Sequence, residues 1–160
     1  MAAINCVVTS AGGGWGSIGA YPANQNDGDA DTYQWLAGNV GGTNDNYYDS
    51  TGIPDGAVIS SVVVSGLWGA GSAAATSNFT AHLGGNTTNL GTIGDVSGYG
   101  SGIAKPGGGT WTKADVAAMF VRFTGLGTGN GNAMRLKSSV LTVYYTLPAT
   151  NLASIIDYMP

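Results

Sequence analysis

The sequence predicts an all-β protein: a single antiparallel β-sandwich of jelly-roll type with one short helical turn near residues 112–119. Three observations carry that expectation. Apolar and aromatic residues come in short runs that alternate at period two, the spacing of a strand with one buried face. Gly, Asn, Ser and Thr divide the runs, and Gly alone occurs 28 times in 160 residues, which marks turns and discourages helices. One segment has a clear helix start, Thr112-Lys-Ala-Asp115, where Thr can cap and Asp sits favourably in the first turn.

The elements follow in chain order. Ile4 to Thr9 reads as the first strand, and Ala11-Gly-Gly-Gly-Trp15-Gly reads as a loop too glycine-rich for regular structure. Thr32 to Leu36 is a second strand, with Tyr33 and Trp35 on one face. Residues 38–52 are expected to be a long Gly/Asn/Asp/Tyr loop. Ile53-Pro-Asp-Gly56 is a turn, and Val58 to Trp68 is the strongest strand. Val62, Val64 and Trp68 lie on one of its faces and Ile59, Val63 and Leu67 on the other, so burial on both sides is expected. Asn78 to Leu83 and Thr87 to Ile93 form two strands around Gly84-Gly85-Asn86, and a second open loop covers 94–109. After the helical turn, Phe120 to Phe123 and Arg135 to Leu147 complete the strands, with Leu141, Val143 and Tyr145 in register for the core.

Composition bounds the function. With 43 % hydrophobic residues the chain can build one core, and 1–147 reads as a single domain with a tail at 148–160. Charged residues make up only 9 %, which leaves a neutral surface suited to cover by partners. A net charge of −4 argues against nucleic acid, and no apolar run approaches the roughly 18–20 residues of a membrane span. The first residues lack the basic and apolar regions of a signal peptide, and a lone cysteine closes no intrachain disulfide, so synthesis and assembly in a cytoplasm are expected.

Candidate sites are few. There is no Glu, one His and one Cys, which leaves little from which to build tuned acids and bases, so no enzyme and no cofactor are expected. Asp27-Gly-Asp29-Ala-Asp31 begins like a calcium loop, but the sixth and twelfth positions are Thr32 and Gly38 rather than Gly and Glu. It reads as an acidic loop, with a looser Ca²⁺ site as the alternative. Pairing Cys6 with His82 as nucleophile and base would need a meeting across most of the domain, and His82 in Phe79-Thr-Ala-His-Leu reads as an ordinary strand residue. Tyr47, Tyr48 and Tyr99 lie in the two expected loops, in Gly/Asn-rich surroundings suited to contact with a partner. With Tyr21, Tyr33, Trp15, Trp35, Trp68 and Trp111 they are also candidates for a sugar-stacking face, although Trp35 and Trp68 lie in strands and read as core. In the tail, Leu152, Ile155, Ile156 and Met159 fall at i, i+3, i+4 and i+7, an apolar stripe expected to dock, on a neighbouring subunit rather than on its own domain.

Three segments together resemble small β-sandwich structural proteins of tailed bacteriophages. They are Asp27-Gly-Asp29-Ala-Asp31-Thr-Tyr33; Ile53-Pro-Asp-Gly-Ala-Val-Ile59 leading into Val62-Val-Val64; and Trp111-Thr-Lys-Ala-Asp115-Val116 ahead of Leu141-Thr-Val-Tyr-Tyr145. The resemblance implies a virion protein without catalytic residues. Its expected form is a capsid decoration (cement) protein that binds the assembled head, the major capsid protein or other virion subunits, and its own copies. A tail or fibre component, or a carbohydrate-binding adhesin module, is the alternative.

Overall fold

The fold is built on its two longest paired strands. In the computed structural model, which describes residues 1–13, 16–18, 33–36, 42–70, 76–93, 97–126 and 134–148, β5 (Val58–Ala70) and β10 (Met134–Thr146) run antiparallel along their whole length. The other edge of β10 takes β1 (Ala2–Gly13) along residues 140–145 and β3 (Tyr33–Leu36) along 134–136. β2 (Gly16–Ile18) pairs with β3, and β8 (Ser97–Gly102) takes the outer edge of β5. β1 then changes partner. Ala2–Val7 pair with β10, whereas Val8–Gly13 pair with β4 (Gly42–Tyr48), and the register shifts between Val8 and Ser10. From β4 the ladder continues through β9 (Phe120–Leu126) and β6 (Thr76–Leu83) to β7 (Asn86–Ile93). The protein is therefore all-β and antiparallel, a sheet curled until it is nearly a barrel, with α1 (Lys113–Ala118) as the one helix among the described residues. β7 and β8 do not pair, and an opening of about 300 Å³ lies between their edges over Phe79 and Tyr99.

The inside of the curl is the core. Val62, Val64, Leu141 and Val143 are buried as their alternation requires, and Tyr145 is partly buried and packs against them. The side chain of Trp68 lies outside the described residues. From the opposite side of the curl, Phe79, Val121 and Phe123 project inward. Phe123 stacks on Phe79 with ring centroids 6.1 Å apart, and Tyr99 meets both edge-on at 5.8 and 5.6 Å. These contacts tie β8 to β6 and β9 across the interior, and aromatic pairs add specificity to their large buried area.

The helical turn forms where its cap lies. The Thr112 hydroxyl accepts from the Asp115 amide at 3.1 Å, and the Asp115 carboxylate accepts from the Thr112 amide at 2.8 Å, a complete capping box. Lys105 also reaches Asp115 at 2.8 Å, so the chain between β8 and α1 is fastened to the helix start. Val116 and Met119 are thereby pushed into the end of the core. The turn between β6 and β7 also follows the sequence. Leu83 pairs with Asn86, and Gly84 and Gly85 supply the two positive φ values, 55° and 84°, that a two-residue hairpin demands.

Several expectations need correction. Gly42–Tyr48 is a strand, not part of a loop: Asn44, Asn46 and Tyr48 point in while Thr43, Asp45 and Tyr47 point out. The alternation is present, but its inward positions are polar, so it carries no hydrophobic period. Ser97–Gly102 is likewise a strand within the expected loop 94–109, because backbone pairing with β5 needs no apolar side chains. β1 runs on through Gly13 into the expected glycine loop, and Gly16–Ile18 is a short strand. β5 is not buried on both sides. A register shift opposite Tyr144/Tyr145 turns Ile59 to the same side as Val62, and Leu67 on the other face is 44 % exposed. Residues 27–31 and the tail 149–160 lie outside the described residues.

Candidate binding face

Strand phase creates two surfaces on β4, β9 and β6, and the outward one gathers the side chains with chemistry. Three rows cross the strands at right angles. Tyr47 stands opposite Phe120, and Phe120 opposite His82; Asp45 stands opposite Arg122, and Arg122 opposite Thr80; Thr43 stands opposite Thr124, and Thr124 opposite Asn78. The register carries the rows onto β7 at Thr87, Asn89 and Thr92.

The first row is aromatic. The His82 ring lies parallel to Phe120 at 4.7 Å, and Tyr47 leans on the other side at 5.3 Å. The second row holds a fork: Arg122 donates from Nε and Nη2 to the two carboxylate oxygens of Asp45, each at 2.7 Å. The guanidinium also lies 5.4 Å from the centre of the Phe120 ring. A bidentate pair that is partly buried holds its geometry better than a single-point surface contact. The third row is a hydroxyl and amide array in which Thr92 donates to Asn78 at 2.7 Å.

His82 is fixed in this face as a neutral ring. The Thr80 hydroxyl lies 2.8 Å from Nε2 and that of Thr87 3.2 Å from Nδ1, which suits one donor and one acceptor nitrogen. Burial, and then the Arg122 charge, hold its pKa below the ordinary 6.5, with Asp45 pulling the other way. The folded state thus takes up this proton later than the unfolded chain as pH falls. The stability that follows is complete above about 6.5 and declines as pH drops toward the lowered folded value. His82→Gln is expected to flatten the dependence of the urea midpoint on pH between 7 and 5.5. An equally steep dependence in the variant would assign it to other groups.

The inward surface of β4 is polar as well. Asn44 donates to Asn46 Oδ1 at 2.8 Å, and the Tyr48 hydroxyl lies 2.6 Å from the Ser139 hydroxyl on β10. The Tyr99 hydroxyl donates to the Ser138 carbonyl at 3.0 Å. Burial pushes the pKa of the Tyr48 and Tyr99 hydroxyls upward, so both stay protonated. Removing one member strands the others in a low-dielectric interior. Tyr48→Phe is expected to cost about 1–3 kcal/mol in denaturant titration, and a neutral result would show that water replaces the hydroxyl.

The expected contact residues therefore separate. Tyr47 lies on the outward face; Tyr48 is buried on the opposite side of the same strand, and Tyr99 is packed inside against Phe79 and Phe123. Tyr48 turns its ring into the core because strand phase and not loop composition sets its direction, whereas Tyr99 is partly buried and borders the opening between β7 and β8. Trp111 is also inside, its Nε1 donating to the Ile103 carbonyl at 3.3 Å. Leu152, Ile155, Ile156 and Met159 lie outside the described residues, as do Trp15 and the Asp27–Asp31 cluster. Cys6 and His82 are not brought together. Cys6 is buried on β1 beside Leu141, where burial and the Asp49 charge push its thiol up to about 11, which leaves little thiolate at neutral pH. Phe120, Arg122 and Asp45 were not singled out by sequence; the only signal was that Asn44–Tyr48 and Phe120–Thr124 each alternate, with an acid on one and a base on the other.

Among the described residues no three His, Cys, Asp or Glu side chains cluster to hold a metal ion, and no helix is long and apolar enough to cross a membrane. No protein-family model matches the chain, and no curated protein matches it.

Proposed function

We propose that this chain is a non-catalytic structural subunit of a tailed-phage particle, a capsid decoration protein that binds the assembled head through the outward face of β4, β9 and β6. In this reading the two ladders joined through β1 are the layers of a jelly-roll sandwich. The observation that carries the proposal is the state of the face itself. His82 is held between two threonines and Arg122 on Asp45, so the surface offers shape and fixed hydrogen-bonding groups rather than a proton or a nucleophile. The segments that resemble phage proteins support the same reading through their roles in the fold: the turn before β5 and the capped helix before β9. Binding only to the assembled shell stabilises it by mass action, with the major capsid protein and further copies of this chain as partners and the virion as location.

Purified protein mixed with heads lacking it should co-sediment at a fixed ratio. Arg122→Ala, which dismantles the second row, should reduce the bound fraction at least tenfold while the variant stays folded. Undiminished binding by that variant would remove the face from the interface, and no binding by the parent would sink the decoration role.

One observation favours a second reading, a carbohydrate-binding adhesin. Tyr47, Phe120 and His82 form an aromatic row beside a planar Arg–Asp fork, an arrangement that suits the apolar face and paired hydroxyls of a sugar ring. Glycan-array binding by the isolated protein, lost in Phe120→Ala, would favour it.

A further inference from the structure

Strand phase makes a second outer surface, on the wall of β1, β10, β5 and β8, and its chemistry differs from that of β4, β9 and β6. Three rows cross it. Val7, Val140, Ser65 and Gly100 form one, Asn5, Thr142, Val63 and Gly102 the next, and Ala3, Tyr144 and Ser61 the last. The residues that alternate with them, among them Cys6, Leu141, Val143, Val62 and Val64, are buried, so the rows face out. Val7 is 42 % exposed. No Asp, Lys, Arg or His stands in the rows, and the nearest along β10 is Lys137, beside Ser138. Side chains stand tall on β1 and β10, are mostly short on β5 and vanish on β8. A Cβ at Gly102 would meet nothing within 4 Å, and at Gly100 its nearest neighbour would be the Ser65 Cβ at 3.9 Å. The wall therefore has a ridge on one side and a trough on the other, both running with the strands.

We propose that this wall binds the same wall of a second copy in a reversible two-fold dimer. Shape selects the occupant. Two sheets that pack face to face are related by an axis lying in the plane of contact, and such an interface must complement itself. An axis that runs with the strands, between β10 and β5, lays each β1 over the other copy's β8 and each β10 over the other's β5. Large then meets small along the rows: Val7 over Gly100, Val140 over Ser65, Asn5 over Gly102 and Tyr144 over Ser61. Sheet twist turns the two walls by roughly 30° without undoing that match. Charge agrees with shape, because a chain of net charge −4 here meets its copy through rows that hold no like charges to repel. Area sets the strength. Four strands about 4.8 Å apart and five to seven residues at about 3.4 Å give roughly 300–450 Å² in projection. That is below the roughly 800 Å² per partner of a stable complex and fits a transient one. The contact uses none of the residues on the outward face of β4, β9 and β6, so it stands apart from what that face binds.

Sedimentation equilibrium of the full chain tests it. The parent should show a monomer–dimer equilibrium with a dissociation constant on the order of 10 µM to 1 mM, as a small interface implies. Gly100→Leu has room in the monomer but fills the trough, and should weaken the dimer at least tenfold while the melting temperature holds. Adding Val7→Ala, which lowers the facing ridge, should recover at least threefold of that loss. Arg122→Ala, on the other wall, should dimerise like the parent. A parent that stays monomeric up to about 1 mM would overturn the proposal, as would a Gly100→Leu dimer as tight as the parent's. A loss in Gly100→Leu that Val7→Ala leaves unrelieved would overturn the seating of ridge in trough. Dimerisation abolished by Arg122→Ala would place the contact on β4, β9 and β6 and overturn it as well.

Discussion

Phe123→Ala is expected to be the most damaging single core substitution, costing about 3–5 kcal/mol, a large part of the roughly 5–15 kcal/mol that holds a domain folded. The ring is fully buried, stacks on Phe79 and meets Tyr99 edge-on, so its loss opens a cavity where three strands from both sides of the curl converge. Phe120→Ala, three residues earlier on the same strand, should cost roughly a third as much. Its ring lies on the half-exposed outward face between Tyr47 and His82, where the aromatic contacts contribute about 0.5–1.5 kcal/mol. Parallel urea titrations of the two variants read the difference directly. Since a one-residue slip of β9 would exchange inside and outside, a larger loss for Phe120→Ala would mean that the strand is paired in the other phase.

Gly66→Ala is the second large effect, and it comes from close approach instead of a cavity. At this point β10 carries an additional residue between Leu136 and Ser138, and the resulting bulge lowers the Ser138 carbonyl onto β5. A methyl group at Gly66 would overlap the Ser138 oxygen and come within 2.7 Å of the Tyr99 hydroxyl that donates to it. Both obstacles are held in place, one by the backbone and one by ring packing, so relief requires the bulge to move. The cost should reach or exceed the upper end of the roughly 1–3 kcal/mol typical of overpacking. Gly102→Ala on β8 is the matched control, because a Cβ there meets nothing within 4 Å. Similar melting temperatures for the two variants would show that β5 and β10 do not approach as described.

What could be read from the sequence was what hydrophobic alternation and local chemistry record. The Val62/Val64 and Leu141/Val143 pattern located the two central strands, and Thr112 with Asp115 located the helix to within a residue. β4 and β8 were hidden for a physical reason. A strand needs a backbone partner, and a side chain facing inward need only be satisfied, so Asn44 and Asn46 occupy core positions by bonding to each other. The bulges in β5 and β10 were hidden as well, since an added residue shifts phase without changing composition. The outward face of β4, β9 and β6 shows the limit most clearly. Tyr47 and Tyr48 are adjacent and identical in type, yet one is on the surface and one bonds to Ser139 in the core. Asp45 and Arg122 meet across 77 residues of chain only because β4 pairs with β9, a pairing that no local pattern announces.

A density map of phage particles purified from cells that produce this chain is the most direct test of the proposed virion reading. The chain should appear on the outside of the head at constant occupancy. The Tyr47–Phe120–His82 row and the Arg122–Asp45 fork should be covered by a neighbouring subunit, with β7 and its Thr87 and Asn89 at the rim of the contact. A particle without the chain, or one in which this face of β4, β9 and β6 points to solvent, would contradict it.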